Sequence, residues 1–233
     1  MKLQTIILSV SAIACAMLCC ACDDGRIYGN GETPPQEGRV ARVTGRFSGL
    51  DTWPSGYHVS ISGFKEGSDY AVISKNISGD ETVLTGISDE VTELSLCVVD
   101  RLRNRVISFS SMELPVTRDT IEMKVDVTDV SIFGAIEHGI FATTCAQCHG
   151  ATGHAAAGLD LTTGHGYNAL VNTASTIDPT MLRVEPGNSD NSLLYKALST
   201  DMSASWRYDH SSEVVNDSRL QLIKDWIDNG AKR

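Results

Sequence analysis

Two cysteines and a histidine stand close together in the segment FATTCAQCHG, which spans residues 141–150. Cys145 and Cys148 are three positions apart, and His149 follows the second cysteine directly. Thiolates and imidazoles bind metals and support redox chemistry. The cluster therefore fits a zinc site, a dithiol redox centre or the covalent attachment of a haem.

A zinc site is the first alternative, and the spacing of the ligands disfavours it. Structural zinc takes four protein ligands, and the CxxC pair supplies two. His149 is badly placed to join the same tetrahedron as its neighbour Cys148, while His154 and His165 would have to reach back from glycine-rich loops. Beyond residue 22, no second CxxC pair completes the set.

A dithiol redox centre is the second alternative, and the predicted helix lies on the wrong side of the cysteines. Such a centre needs its first cysteine at a helix N-terminus, where the helix dipole lowers the thiol pKa. Ile132, Ile136 and Ile140 recur at four-residue steps and predict a helix before the cysteines, with Ser131 as its cap. No βαβ pattern surrounds the pair, so this chemistry is disfavoured.

Haem attachment uses all three residues of the cluster. Two thiols with two residues between them can add to the vinyl groups on one side of a porphyrin, and the adjoining histidine then binds the iron as a neutral imidazole. We therefore expect one covalent haem c per chain, held by Cys145 and Cys148 with His149 as iron ligand. The sequence contains no G-x-S-x-G and no H-E-x-x-H, so we expect electron transfer and no catalytic residues.

The N-terminus predicts export from the cytoplasm. One lysine precedes an apolar run that ends among small residues and cysteines, as in a secretory signal, here residues 1–21. The segment resembles the lipobox of bacterial lipoproteins, which implies lipidation at Cys22, with Cys20 as the alternative. We expect an extracytoplasmic protein held by lipid to the cell envelope of a Gram-negative bacterium, at the outer membrane or cell surface rather than the inner membrane. An ordinary soluble secretory signal is the other interpretation.

The charge of the chain limits its partners. The formal net charge is −10 at pH 7. An acidic surface repels phosphate backbones and anionic lipid headgroups, so nucleic acid is excluded as a partner and membrane contact is expected through the lipid anchor. A basic redox protein is the expected partner.

The chain after the signal changes its periodicity partway along, which predicts two domains. Residues 22–38 are polar and rich in Gly and Pro, as in a flexible tether. Residues 39–128 alternate apolar and polar side chains in about seven short runs, as at Val59 and Ile61. This pattern predicts an all-β antiparallel sandwich, immunoglobulin-like or transthyretin-like.

Residues 129–233 have helical periodicity. Besides the helix before the cysteines, SDNSLLYKAL (189–198) and GYNALVN are predicted helices. The last helix is the clearest, because Asn216 can cap it and Gly230 can close it. The expected fold class is therefore a β-sandwich followed by an all-α domain.

Four segments of this second part resemble a known family. CAQCHG, AGLDLTTG, RVEPGNSDNSLLYKAL and LIKDWIDNGA are similar, in order, to a single-haem c-type cytochrome domain of the kind appended to secreted bacterial proteins. The resemblance implies an all-α class I cytochrome c-like fold over residues 129–233, with Trp226 and Ile227 packed near the haem. It also implies that Arg183 pairs with a haem propionate, although a surface arginine is an equal alternative.

The sixth iron ligand departs from that family's pattern. Most relatives provide methionine from a Met-Pro pair before the last helix, and none of the methionines here precedes proline. Counting back from Trp226 leads to His210 as the expected ligand, with Met202 and then Met181 as alternatives. Two other functions stay open: a haem-based sensor or peroxidase, and a glycan- or protein-binding surface lipoprotein with an accessory haem.

Overall fold

Seven β-strands occupy the first half of the protein. The computed structural model describes residues 38–117, 119–150, 155–214 and 216–233. The strands are β1 (Arg39–Ser48), β2 (His58–Phe64), β3 (Ala71–Asn76), β4 (Glu81–Ile87), β5 (Glu93–Val99), β6 (Arg105–Glu113) and β7 (Ile121–Asp129).

The strands form two sheets of different size. One has three strands in the order β4-β1-β7, and the other has four strands in the order β3-β2-β5-β6. All pairs are antiparallel except β1 and β7, which run parallel, with Val43 opposite Met123. β7 is the last strand in the sequence, and it lies at the edge of the three-stranded sheet, beside β1, the first strand.

Period-two alternation explains why these segments are strands. In β1, Ala41 and Val43 are buried while Arg42 between them is exposed, and in β7 Ile121 and Met123 alternate with exposed residues. Alternate side chains of a strand point to opposite faces, so one face of this sheet enters the core. β2 and β5 are buried on both faces, because small serines occupy their second face.

The second half contains five short helices and several single turns. The helices are α1 (Ile132–Ile136), α2 (Gly166–Leu170), α3 (Leu193–Ser199), α4 (Ser203–Trp206) and α5 (Asp217–Asp228). α1 continues as a π-helical turn over Glu137–Phe141. Single 3-10 turns lie at Leu50–Thr52, Cys145–Gln147, Ala156–Gly158, Ser189–Asn191 and His210–Ser212. No helix in these described ranges is long and apolar enough to cross a membrane.

The predicted fold class is wrong. An antiparallel sandwich followed by an all-α class I cytochrome c-like domain does not describe a mixed structure with a parallel β1–β7 pair. Of the helices, only α5 reaches 12 residues, and the others have seven or fewer. The segment between α2 and α3 instead forms isolated β-bridges, Val171 with Val184 and Ala174 with Leu182.

Polar side chains explain why the segments between the helices form turns, although residues 129–233 have helical periodicity. The hydroxyl of Thr180 donates to the Asp178 carboxylate, and the backbone N–H of the same threonine does so as well. Thr162 repeats this arrangement with Asp160. Such local side-chain bonds to the backbone favour turns over helices.

The caps predicted for the first and last helices are confirmed. The hydroxyl of Ser131 accepts a hydrogen bond from the Gly134 N–H, and the amide oxygen of Asn216 accepts from the Ser218 and Arg219 N–H groups. Gly230 has a φ of 94° just after α5, where a side chain would be strained. The segment predicted as one helix at 189–198 is a 3-10 turn followed by α3.

The strands and the helices pack against each other within a compact unit, Glu37–Arg233. A single hydrophobic cluster includes Ile61 of β2, Phe133 of α1 and Trp226 of α5. Gly139 lies so close to β6 that an added Cβ would come within 2.6 Å of the Ile107 side chain. The boundary predicted at 128/129 falls at the end of β7 and stays a prediction. The predicted signal peptide, the Cys22 lipidation site and the tether up to residue 37 lie outside the described residues.

Candidate functional site

A cavity of about 690 Å³ lies among the short helices of the second half. Its volume is within the range of small-molecule and cofactor sites. Most of the lining surface is apolar, and polar side chains also converge on it, as such sites usually require. The aliphatic and small residues of the lining include Leu159, Leu161, Leu170, Leu193, Leu194, Ala197 and Leu198.

The CxxCH segment lies at this cavity. Cys145, Cys148 and His149 all line it. A 3-10 turn brings them together, because the N–H groups of Cys148 and His149 both donate to the Cys145 carbonyl oxygen, at 3.2 and 2.9 Å. Both cysteines are free thiols, with Cys145 half-buried and Cys148 exposed.

Burial disfavours the thiolate form of Cys145. Burial raises its pKa to about 11, and the negative charges of Glu213 and Cys148 add to the shift. A thiol with a raised pKa carries little thiolate at neutral pH, and the thiolate is the species that attacks disulfides. This observation agrees with the sequence argument against a dithiol redox function.

His149 is held in one tautomer by the backbone. Its Nδ1 lies 3.0 Å from the carbonyl oxygen of Ala156, and because a carbonyl can only accept, Nδ1 carries the proton. Burial lowers the pKa of His149, and the nearby His210 and Arg183 lower it further against the opposing backbone hydrogen bonds. The neutral ring therefore keeps an unprotonated Nε2, the form that binds a metal.

His210 faces His149 across a short distance. The centroids of the two imidazole rings are 6.1 Å apart, and their planes are inclined by 32°. Two imidazoles on opposite sides of one metal, each with a bond of about 2 Å, would have centroids about 6 Å apart. The Nδ1 of His210 is buried, and no hydrogen-bond partner for it is found among the described residues.

Two aromatic side chains surround His210. Trp206 and Tyr208 present their rings edge-on to it, with centroids 5.7 and 4.9 Å away. The hydroxyl of Tyr208 donates to the Glu213 carboxylate, and all of these residues line the cavity. Trp206, Tyr208 and Glu213 were not predicted from the sequence as site residues. The aromatic residues beside His210 in the segment WRYDH were the available signal.

Arg183 also lines the cavity, as the expected partner of an anionic group. Its guanidinium donates to the backbone carbonyls of Ala169 at 2.9 Å and Ala157 at 3.2 Å. Its pKa is lowered by burial. Within the described ranges it forms no ion pair with a carboxylate, so its charge is available to a ligand in the cavity.

The two methionines considered as alternatives to His210 lie elsewhere. Neither Met202 nor Met181 is part of the described cavity lining. Met202 instead caps the start of α4, where its carbonyl accepts from the Ser205 and Trp206 N–H groups. The structure thus brings His149 and His210 together, and it does not bring either methionine to the cavity.

Among the described residues, the other cysteine and histidine candidates do not form a second site. Cys97 is fully buried, and burial raises its pKa to about 11. His165 is exposed, while His154 lies outside the described residues. Within the part of the chain that the structure describes, no group of three or more His, Cys, Asp or Glu is placed to hold a metal ion by itself.

Comparisons with known proteins yield no match: no family model, no curated protein and no solved structure is similar to this chain. The resemblance to a single-haem c-type cytochrome domain, C-terminal to a β-sandwich in a bacterial lipoprotein, is therefore wrong. The short helices and bridges of the second half, and the missing metal cluster among described residues, agree with this correction. Segments such as CAQCHG and LIKDWIDNGA are short, and local turn and helix preferences produce similar segments in different folds.

Proposed function

We propose that the cavity binds one haem covalently and that the protein transfers electrons. The observation that carries the proposal is the convergence of Cys145, Cys148 and His149 on one largely apolar cavity. The ring centroid of His210 lies 6.1 Å from that of His149. The proposal concerns the chemistry of this site alone. It needs no cytochrome fold, because function resides in a site rather than in the fold that carries it.

The residues present fit a haem better than a free metal ion. A porphyrin supplies four nitrogen ligands to its iron, so the protein needs to add only one or two axial ligands. The absence of a three-residue metal cluster among described residues therefore counts against zinc, whose ligands all come from the protein. The aliphatic lining suits the apolar faces of a macrocycle.

Each polar side chain then has a distinct role. Cys145 and Cys148 provide the thiols that form the thioether bonds. His149, fixed by the Ala156 carbonyl, would hold the iron of a bound haem through its Nε2, and His210 would provide a second ring nitrogen. The guanidinium of Arg183 suits the carboxylates of a haem, since charge-assisted hydrogen bonds of this kind are strong. A bound haem supplies the exchange between ferrous and ferric iron.

The cellular setting is part of the same proposal. Covalent haem attachment occurs outside the cytoplasm, where the N-terminal signal would direct the chain, and lipidation at Cys22 would hold it at the cell envelope. The net charge of −10 favours a basic redox protein as partner, because complementary charges speed association.

Cysteine variants test the attachment. The full chain with its signal is produced in a bacterial host that carries the haem-attachment machinery. We expect haem to stay on the denatured protein, measured by absorption and intact mass.

Replacing either Cys145 or Cys148 by Ala should weaken attachment, and replacing both should abolish it. Cys97→Ala is the matched control, because this buried cysteine lies outside the cavity lining, and it should retain the haem. A parent protein without covalent haem would refute the proposal.

A further inference from the structure

The two histidines of the cavity are held very differently. The Nδ1 of His149 is tied to the Ala156 carbonyl at 3.0 Å, and the backbone N–H of Ala156 donates in turn to the Cys148 carbonyl at 3.0 Å. The carbonyl of His149 accepts from the Leu161 N–H. Backbone hydrogen bonds thus fix the ring and its main chain on the His149 side.

Ala157, the residue after Ala156, also helps to hold His149 in place. Ala157 has a positive φ of 54°, a strained conformation for alanine, and its carbonyl accepts from Arg183 at 3.2 Å and from Thr176 at 2.9 Å. These two bonds keep the segment beside Ala156 in place. The His149 side is therefore organised before any ligand binds.

His210 has no comparable support. Its buried Nδ1 has no hydrogen-bond partner within the described ranges, and it lies in a single 3-10 turn, His210–Ser212. Its ring touches Trp206 and Tyr208, and Tyr208 is 49% exposed and tied to Glu213. Metal-bound histidines almost always have a hydrogen-bond partner for the ring nitrogen that does not bind the metal. Losing that partner typically lowers the metal affinity about 10- to 100-fold.

We infer that His210 is an exchangeable ligand and that the site binds a small exogenous ligand of iron on the His210 side. The inference rests on the proposed function, since it requires the haem. The ligand class is small and lone-pair-bearing, represented by cyanide or imidazole for ferric iron and carbon monoxide for ferrous iron. Breaking the exposed Tyr208–Glu213 hydrogen bond lets His210 withdraw while His149 stays in place.

Ligand-binding kinetics of the haem-loaded full chain test the inference. Cyanide is mixed with the ferric protein and the change in absorption is followed in time. We expect the observed rate to reach a plateau as cyanide increases, because release of His210 limits binding. In His210→Ala the plateau should disappear and binding should be at least about 10-fold faster, as expected for a vacant position. His165→Ala, an exposed histidine outside the cavity lining, should behave as the parent.

Two further measurements sharpen the test, and the first does not depend on whether His210→Ala folds. Tyr208→Phe removes only the hydroxyl that binds Glu213, and we expect it to raise the plateau rate several-fold. Added imidazole should restore a low-spin spectrum to His210→Ala. A haem-loaded parent that binds neither cyanide nor carbon monoxide, or an unchanged plateau in His210→Ala, would overturn the inference and leave the proposed function standing. Absence of covalent haem would refute the proposed function itself.

Discussion

Arg183 and His149 show how single residues of the cavity are prepared for a ligand. Arg183 places a half-buried positive charge at the cavity and donates hydrogen bonds to two backbone carbonyls. His149 keeps its pKa low through burial and keeps its Nε2 free through the Nδ1 hydrogen bond. Both arrangements exist before a ligand binds, which reduces the free energy spent on ordering them.

Removing the charge of Arg183 should lower the reduction potential of the proposed haem. Ferric iron carries one more positive charge than ferrous iron, so a nearby guanidinium favours the ferrous state. Arg183→Met should lower the midpoint potential by tens of millivolts, the size expected for one partly screened charge. Redox titration measures the shift. Arg42→Met, in an exposed arginine of β1, should leave the potential unchanged. A potential that rises in Arg183→Met would contradict this role.

Helix α5 contacts the rest of the protein through an apolar stripe and through a carboxylate at its C-terminal end. Its buried side chains are Leu222, Ile223, Trp226 and Ile227, which form one apolar stripe. At the C-terminal end, the Asp228 carboxylate accepts from the Ser189 N–H at 2.9 Å and from Lys224 one turn earlier. A carboxylate at a helix C-terminus opposes the helix dipole, so these two partners are what make Asp228 favourable there.

The Asp228 contacts predict a dependence of stability on pH. Burial raises the pKa of Asp228, but the hydrogen bonds from Lys224 and Ser189 outweigh it, and the pKa lies below the ordinary value of 3.8. A group whose folded-state pKa is depressed stabilises the fold above its unfolded pKa and loses that contribution as the pH falls. The stabilisation from Asp228 is therefore complete above about pH 5 and is lost progressively below pH 4.

Asp228→Asn tests this dependence. Urea unfolding of the parent and the variant is compared at pH 7 and at pH 3. The free energy of unfolding of the variant should be lower than that of the parent at pH 7, and the difference should narrow at pH 3. Asp126→Asn, in an exposed aspartate of β7, serves as the control and should show no such dependence on pH. If the free energies of unfolding of the parent and Asp228→Asn differ by the same amount at pH 7 and at pH 3, the charge of Asp228 is not involved.

At the scale of the whole molecule, the segment between β1 and β2 forms hydrogen bonds with α1, with α5 and with the chain just before α1. The indole N–H of Trp53 donates to the Val130 carbonyl at 2.8 Å, and the hydroxyl of Thr52 accepts from the Ile132 N–H at 2.9 Å. The hydroxyl of Tyr57 donates to the Asp225 carboxylate of α5 at 2.8 Å. Because one core cluster includes both parts, we expect the described unit to unfold in a single transition.

Tyr57→Phe should destabilise the molecule, because the Asp225 carboxylate loses a partly buried donor. We expect a loss of about 1–3 kcal/mol, measured by urea unfolding. Burial, the hydrogen bond to Asp225 and that carboxylate's charge all raise the pKa of Tyr57 above 10.0. A raised folded-state pKa gives stability that is complete below the unfolded pKa and is lost as the pH rises through the folded pKa. The difference between the parent and Tyr57→Phe should therefore shrink above about pH 10.

Tyr70→Phe is the control for that measurement. Unlike Tyr57, Tyr70 donates no hydrogen bond to a carboxylate among the described residues; its hydroxyl accepts from Arg103, and its side chain is 47% exposed. Loss of the Tyr70 hydroxyl should lower the free energy of unfolding by less than about 1 kcal/mol, the size expected for exposed contacts.

Two separate unfolding transitions, one for the strands and one for the helices, would contradict the single shared core.

Sequence alone determined the features that depend on neighbouring residues. The alternation around Val59 and Ile61 located β2, the hydroxyl of Ser131 and the amide of Asn216 located helix starts, and the CxxCH spacing located the candidate site. Tertiary structure decided the rest. Periodicity states which face of a strand is buried but not which strand lies beside it, so the parallel β1–β7 pair and the shared core were not foreseen. The approach of His210 to His149 likewise depends on how the intervening loops pack, because side chains far apart in the chain meet only when the burial of apolar surface brings their segments together.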